Sequence, residues 1–208
     1  MIHRSKVVGL ALAVVLATMA VSAAAASAAE FNAAESPVKV NAVNEGNHVF
    51  TAGIVGSISC KKATFTGEEF KAVPTKEVTV TPSYTECTFL GVPTTVNTNG
   101  CDYTFTEPTG TGPFTGKVDV GCPTGKSIEF EALSCRVKVG AQTGLGTVTY
   151  TNQSGGTVKV AAKVTGITYT SEGACNGLPG VHSDGVYEGT AIASGENEEG
   201  GVVSVSVK

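Results

Sequence analysis

An all-β, mostly antiparallel β-sandwich with disulfides is the fold this sequence predicts, on three observations. From about Val38 onward the chain carries 24 Val and 26 Thr, β-branched residues suited to a pleated strand. Apolar and polar residues alternate in short runs that Gly, Pro or Asn break every 8 to 12 residues, as antiparallel strands require. All six cysteines lie beyond an export-type leader, where thiols oxidise.

The leader comes first. His3, Arg4 and Lys6 form a basic start, Val7 to Val21 an uncharged apolar stretch, and Ser22 to Ala29 a run of small residues with Ala26-Ser27-Ala28 as a cleavage site. Residues 1–29 are therefore expected to be a signal peptide and 30–208 a single disulfide-bearing domain, with division near 140–146 as the alternative. Removing residues 1–29 takes Arg4 and Lys6 from the 14 basic residues and none of the 18 acidic ones, so the exported chain has a net charge of −6. Arg136 is its one arginine and its lysines are scattered, which disfavours nucleic acid and, after signal cleavage, a membrane surface as partners.

The clearest strands are Glu77–Thr81, Cys101–Thr106, Gly116–Val120, Ser127–Glu131, Cys135–Val139, Thr147–Tyr150, Thr157–Val160 and a last one over Val202–Val207. Parity puts Cys101, Tyr103 and Phe105 on one face, with Val118, Val120 and Cys122 likewise together, while Asp102, Lys117 and Asp119 point to the wet side. Turn chemistry at Thr98-Asn99-Gly100, Pro108 to Pro113 and Gln153 to Gly156 predicts hairpins.

Three disulfides are expected among Cys60, Cys87, Cys101, Cys122, Cys135 and Cys175. A hairpin that pairs Phe105 with Val118 and Tyr103 with Val120 brings Cys101 opposite Cys122, within bridging distance. Cys122 to Cys135 is the local rival, and the remaining pairs stay open. No metal is expected, because no C-x-x-C pair occurs and only His48 and His182 remain after export.

Candidate chemistry is sparse. His182-Ser183-Asp184 holds the residue types of a hydrolase triad, but neighbours on a strand diverge, and both histidines read as solvated loop residues. Glu129 and Glu131 share a strand face about 7 Å apart, a spacing that suits glycoside cleavage, yet their alternation with Ile128 and Phe130 is that of a wet sheet face. Glu196, Glu198 and Glu199 among glycines read as a solvated hairpin tip rather than a calcium loop. Tyr84, Tyr150, Tyr169 and Tyr187 are the candidate ligand contacts, as rings at loop edges that could meet a glycan, whereas parity turns Tyr103 inward. Asn152-Gln153-Ser154 matches a glycosylation sequon, which a bacterial type of leader makes idle.

Four motifs carry a resemblance: Thr81-Pro-Ser-Tyr-Thr-Glu-Cys87, Asn99-Gly-Cys-Asp-Tyr-Thr-Phe105, Cys122-Pro-Thr-Gly-Lys-Ser-Ile128 and Gln142-Thr-Gly-Leu-Gly-Thr-Val-Thr-Tyr-Thr-Asn152. Together, over roughly Cys60 to Gly189, they resemble a group of uncharacterised secreted β-rich proteins of high-GC Gram-positive bacteria. That resemblance implies no activity and no site residues. The expectation is a non-catalytic, secreted, extracellular or envelope-associated binding or structural module, with no cofactor and with an extracellular protein or glycan as partner. The alternatives are a glycan hydrolase using Glu129 or Glu131 and a protease inhibitor presenting the Gly173 to Gly180 loop beside Cys175.

Overall fold

The computed structural model describes residues 28–70, 73–176 and 179–208. The expected signal peptide lies outside them except for Ala28 and Ala29. Fifteen strands form: β1 (Phe31–Ala33), β2 (Val38–Asn44), β3 (His48–Ala52), β4 (Gly56–Phe70), β5 (Glu77–Phe89), β6 (Val92–Asn97), β7 (Asp102–Thr109), β8 (Phe114–Gly121), β9 (Ile128–Ala132), β10 (Cys135–Val139), β11 (Gln142–Gln153), β12 (Thr157–Gly173), β13 (Gly180–Glu196), β14 (Val202–Val203) and β15 (Val205–Val207). Each strand expected from the sequence falls on one of these, except that Val202–Val207 is split between β14 and β15.

The pairings close a ring. β2 and β3 both run antiparallel to β4, which pairs β5; β5 pairs β6 and β7, which pair β9 and β8; β9 and β8 pair β10 and β11, both of which pair β12; β12 pairs β13, and β13 returns to β2 and β3. The result is an eight-stranded up-and-down barrel with every wall strand beside its neighbour in sequence. The all-β, disulfide-bearing class holds, and the expected sandwich is corrected to a barrel. Alternation reports one buried face, which the two architectures share; what decides between them is the pairing of last strand with first, as in Ala191 with Asn44 and Glu196 with Lys39.

Four wall strands are continuous (β4, β5, β12, β13), and four are each built from two collinear pieces that break at the barrel's waist. Hence Thr98-Asn99-Gly100 does not reverse the chain. β6 and β7 pair with the same edge of β5 in the same direction, so the expected hairpin there is a break within one wall strand. Side-chain amides replace the missing ladder bonds. The Asn44 amide donates to Lys61 O at 2.8 Å and accepts from Ala63 N at 3.0 Å, and the Gln142 amide does the same with Thr168 O and N at 3.0 and 2.9 Å. Buried or half-buried backbone groups need such partners. Of residues 140–146, 140 and 141 join β10 to β11 in this same wall and the rest belong to β11.

Three disulfides pin the wall: Cys60–Cys87, Cys101–Cys122 and Cys135–Cys175. The register that predicts the second is the observed one, with Tyr103 opposite Val120 and Phe105 opposite Val118.

One barrel mouth is covered by the chain itself. β1 pairs β15 in a separate ribbon, Phe31 exchanges backbone bonds with Thr75, and Ala29 N donates to Pro108 O. Asn152, the sequon residue, spends its amide here, donating to Val207 O and accepting from Val207 N, both at 2.8 Å.

Candidate functional site: the barrel lumen

Inward side chains leave the lumen partly unfilled, with a cavity of about 140 Å³. Eight strands give an interior that either packs solid or holds one small ligand. Among the described residues, no Asp, Glu, Lys or Arg lines the cavity. Instead, rings occupy three levels. Next to the cap, Phe31 and Phe105 both stand edge-on to Tyr150, with centroids at 5.3 and 6.4 Å. Toward the other mouth, Phe50 stacks on Phe130 at 5.2 Å and meets Tyr169 edge-on. At the waist, Phe65 packs against His48, Tyr84 and Tyr103.

The waist level is polar and interlinked. His48 Nε2 lies 2.9 Å from Thr190 O and Nδ1 lies 2.5 Å from the Tyr187 hydroxyl. A carbonyl only accepts, so Nε2 carries the proton of neutral His48, and Tyr187 donates to Nδ1. Tyr84 donates its hydroxyl to Tyr103 at 3.1 Å and also lies 2.9 Å from the Tyr187 hydroxyl. With those donations made, that last contact has no proton of its own until His48 takes up a second one. Burial works against that uptake: it lowers the His48 pKa, outweighing the opposing bond to Thr190. Low-dielectric surroundings also hold the phenols in their neutral form. Tyr84 and Tyr187 are pushed well above the ordinary tyrosine value, Tyr103 to about 12 and Tyr150 upward, in each case chiefly by burial.

Two glycines make room for this arrangement. Gly189 faces His48 across the β13–β3 seam, and a Cβ there would sit 2.4 Å from Nδ1. Gly116 lies beneath Tyr150, where a Cβ would be 3.0 Å from the ring. The Tyr150 hydroxyl is buried and has no hydrogen-bond partner among the described residues.

Of the expected ligand contacts, Tyr84, Tyr150 and Tyr187 line the lumen; with Tyr169 they belong to strands, not loop edges, and Tyr84, Tyr150 and Tyr169 are buried. They form no exposed platform. Tyr103 points inward, as parity implies. The reading of both histidines as solvated loop residues fails for His48, which is 4% exposed. His48 and Phe50 share the inward parity of β3, and that alternation was the signal available in the sequence.

The triad residues do not converge. Asp184 accepts from Tyr169 at 2.9 Å, while His182 stacks on Tyr169 and lies 3.1 Å from the Ser171 hydroxyl. Sequence reasoning missed that Ser171–His182 contact, which spans the β12–β13 seam; Ser171 is itself buried. Glu129 and Glu131 stand on the outer wall, with Glu131 paired to Arg136 and the intervening Phe130 turned into the lumen. Glu196 accepts from Asn41 at 2.7 Å, and Glu198 and Glu199 are exposed at a turn. Beside Cys175, Asn176 donates back to Ile54 O and Val55 O. Among the described residues, no three His, Cys, Asp or Glu side chains gather to hold a metal ion.

Comparison with protein-family models, with curated proteins and with solved structures finds no match to this chain.

Proposed function

We propose that the chain is an exported, non-catalytic binding protein whose barrel lumen takes up a small, predominantly apolar molecule. The observation that carries this reading is the unfilled cavity of about 140 Å³, lined mainly by apolar side chains together with the hydrogen-bonded His48–Tyr187–Tyr84–Tyr103 cluster, Tyr150 and, beside the cap, Asn32 and Ser206. Apolar pockets with a few convergent polar groups are the usual form of small-molecule sites. Outside, Lys62 pairs with Glu86, Lys138 with Glu172, Lys159 with Glu45 and Lys163 with Glu188, so the wall presents charge where a lipid-facing barrel would present an apolar band. Export supports three disulfides, and the basic, apolar and small-residue pattern of residues 1–29 supplies the route.

The test is calorimetry and thermal melting of the oxidised exported form with benzene and toluene as probes. Binding and a raised melting temperature are expected, and both should disappear in Ala162→Phe, which fills the lumen from β12 while the far-ultraviolet circular dichroism is retained. Probes that leave the wild-type protein unchanged overturn the reading.

A further inference from the structure

We propose that the lumen selects a neutral, one-ring aromatic molecule bearing a single hydrogen-bond acceptor, an aryl ketone or aldehyde being the simplest form, with that acceptor seated on the Tyr103 hydroxyl. The inference rests on the lumen being the binding site and adds the chemical class of its occupant.

Size is the first constraint. The cavity of about 140 Å³ is close to an engineered apolar cavity of about 150 Å³ that takes up benzene, so its size matches a single ring. Charge is the second. With no Asp, Glu, Lys or Arg among the described lining residues, a carboxylate or ammonium would find no counter-ion among them, and its desolvation cost would go unrepaid there. Shape is the third: Phe65, Phe105 and Phe130 present ring edges and faces around the space, which favours another ring as filler.

The acceptor requirement follows from counting protons. Tyr84 donates to Tyr103, so the Tyr103 oxygen is already an acceptor and its own proton is spent on no group among the described residues. The Tyr103 side chain lines the cavity and is only half-buried, because its remaining exposed surface faces the unfilled lumen. A carbonyl oxygen arriving there completes the bond. The other hydroxyls of the cluster are occupied, Tyr187 by His48 and Tyr84 by Tyr103.

Acetophenone and α-methylstyrene form a planar pair that differs by a carbonyl oxygen replaced by a methylene, and they are the probes, with benzoate as the charged control. Calorimetric titration of the full exported protein should show acetophenone binding about five- to tenfold more tightly than α-methylstyrene, and benzoate not at all. In Tyr103→Phe that preference should vanish while α-methylstyrene keeps its wild-type affinity. Equal affinity for the neutral pair in the wild-type protein, a preference that survives in Tyr103→Phe, or tighter binding of benzoate overturns the proposal and leaves the lumen as a binding site. If neither neutral probe binds, the lumen reading itself falls. Should Tyr103→Phe fail to fold, the wild-type comparison still decides whether the lumen reads an acceptor, and Tyr150→Phe decides where: the preference should survive that variant, and its loss there overturns the assignment to Tyr103.

Discussion

The two mouths of the barrel are finished by opposite means. At one, the chain covers itself: the β1–β15 ribbon lies across the opening, Val205 and Val207 are buried, and Asn152 clamps Val207 from the wall. At the other, the connections and strand ends carry apolar side chains left largely in water, with Ile54 72%, Leu90 65%, Leu133 89% and Val181 73% exposed. That end is held by a covalent link, Cys135–Cys175, and by Asn176 folding onto the β3 to β4 connection. A barrel removes edges but not ends, so each end needs its own solution. One here is built from burial, the other from a crosslink.

The largest expected effect lies at the covered mouth. Val207→Asp puts an unpaired carboxylate at a 1% exposed position within the ribbon itself, and it should cost about 3–5 kcal/mol in denaturant-midpoint measurements. A loss below about 1 kcal/mol would mean that the ribbon lies on the barrel without stabilising it. The open mouth should respond somewhat less: Cys135→Ser with Cys175→Ser releases a link that spans 40 residues, with an expected loss of about 2–4 kcal/mol. If the double serine variant melts like the parent, the Asn176 contacts suffice to close that end.

Much of the wall was legible in the sequence, whereas its closure was not. Parity placed Tyr103 inside and Glu129 and Glu131 outside, and it set the Cys101–Cys122 register, because hairpin neighbours are local and their alternation is uninterrupted. The lumen cluster was hidden for a physical reason. Tyr187 lies beyond register shifts near Gly166, so counting by twos from either end of the long β12–β13 hairpin gives inconsistent faces. His48 opens a strand directly after a break, where a histidine near Asn and Gly looks like a loop residue. Gly189 leaves the space that His48 fills, a fit that exists only once β13 and β3 are paired.

Between the mouths, the waist offers a smaller effect because one proton is at stake. The folded-state pKa of His48 lies below its ordinary value of 6.5, so the folded protein resists a proton that the unfolded chain accepts. Stability should therefore be complete above about pH 6.5 and decline as the pH falls from there through the lowered folded value, levelling off once both states are protonated. Urea midpoints between pH 5 and 8 measure this. His48→Gln should flatten that limb, and an unchanged slope in the variant would assign it to other groups.

The smallest effect has the opposite sign and tests why the open mouth carries leucines at all. Leu90 and Leu133 occupy left-handed backbone, with φ of 49° and 54°, where a branched side chain clashes with its own carbonyl and Asn or Gly is preferred. Leu133 recovers almost nothing from packing, since it is 89% exposed in the β9 to β10 turn. Leu133→Asn removes that conformational penalty and an apolar side chain left in water, and it should raise stability by about 0.5–1 kcal/mol. Leu90→Asn should do the same by a smaller margin, because a third of its surface is already covered. Residues so placed lower the stability of the fold that carries them. If both variants instead lose stability, the exposed tips are packing elements after all, and the contrast between a buried mouth and an unpacked one collapses.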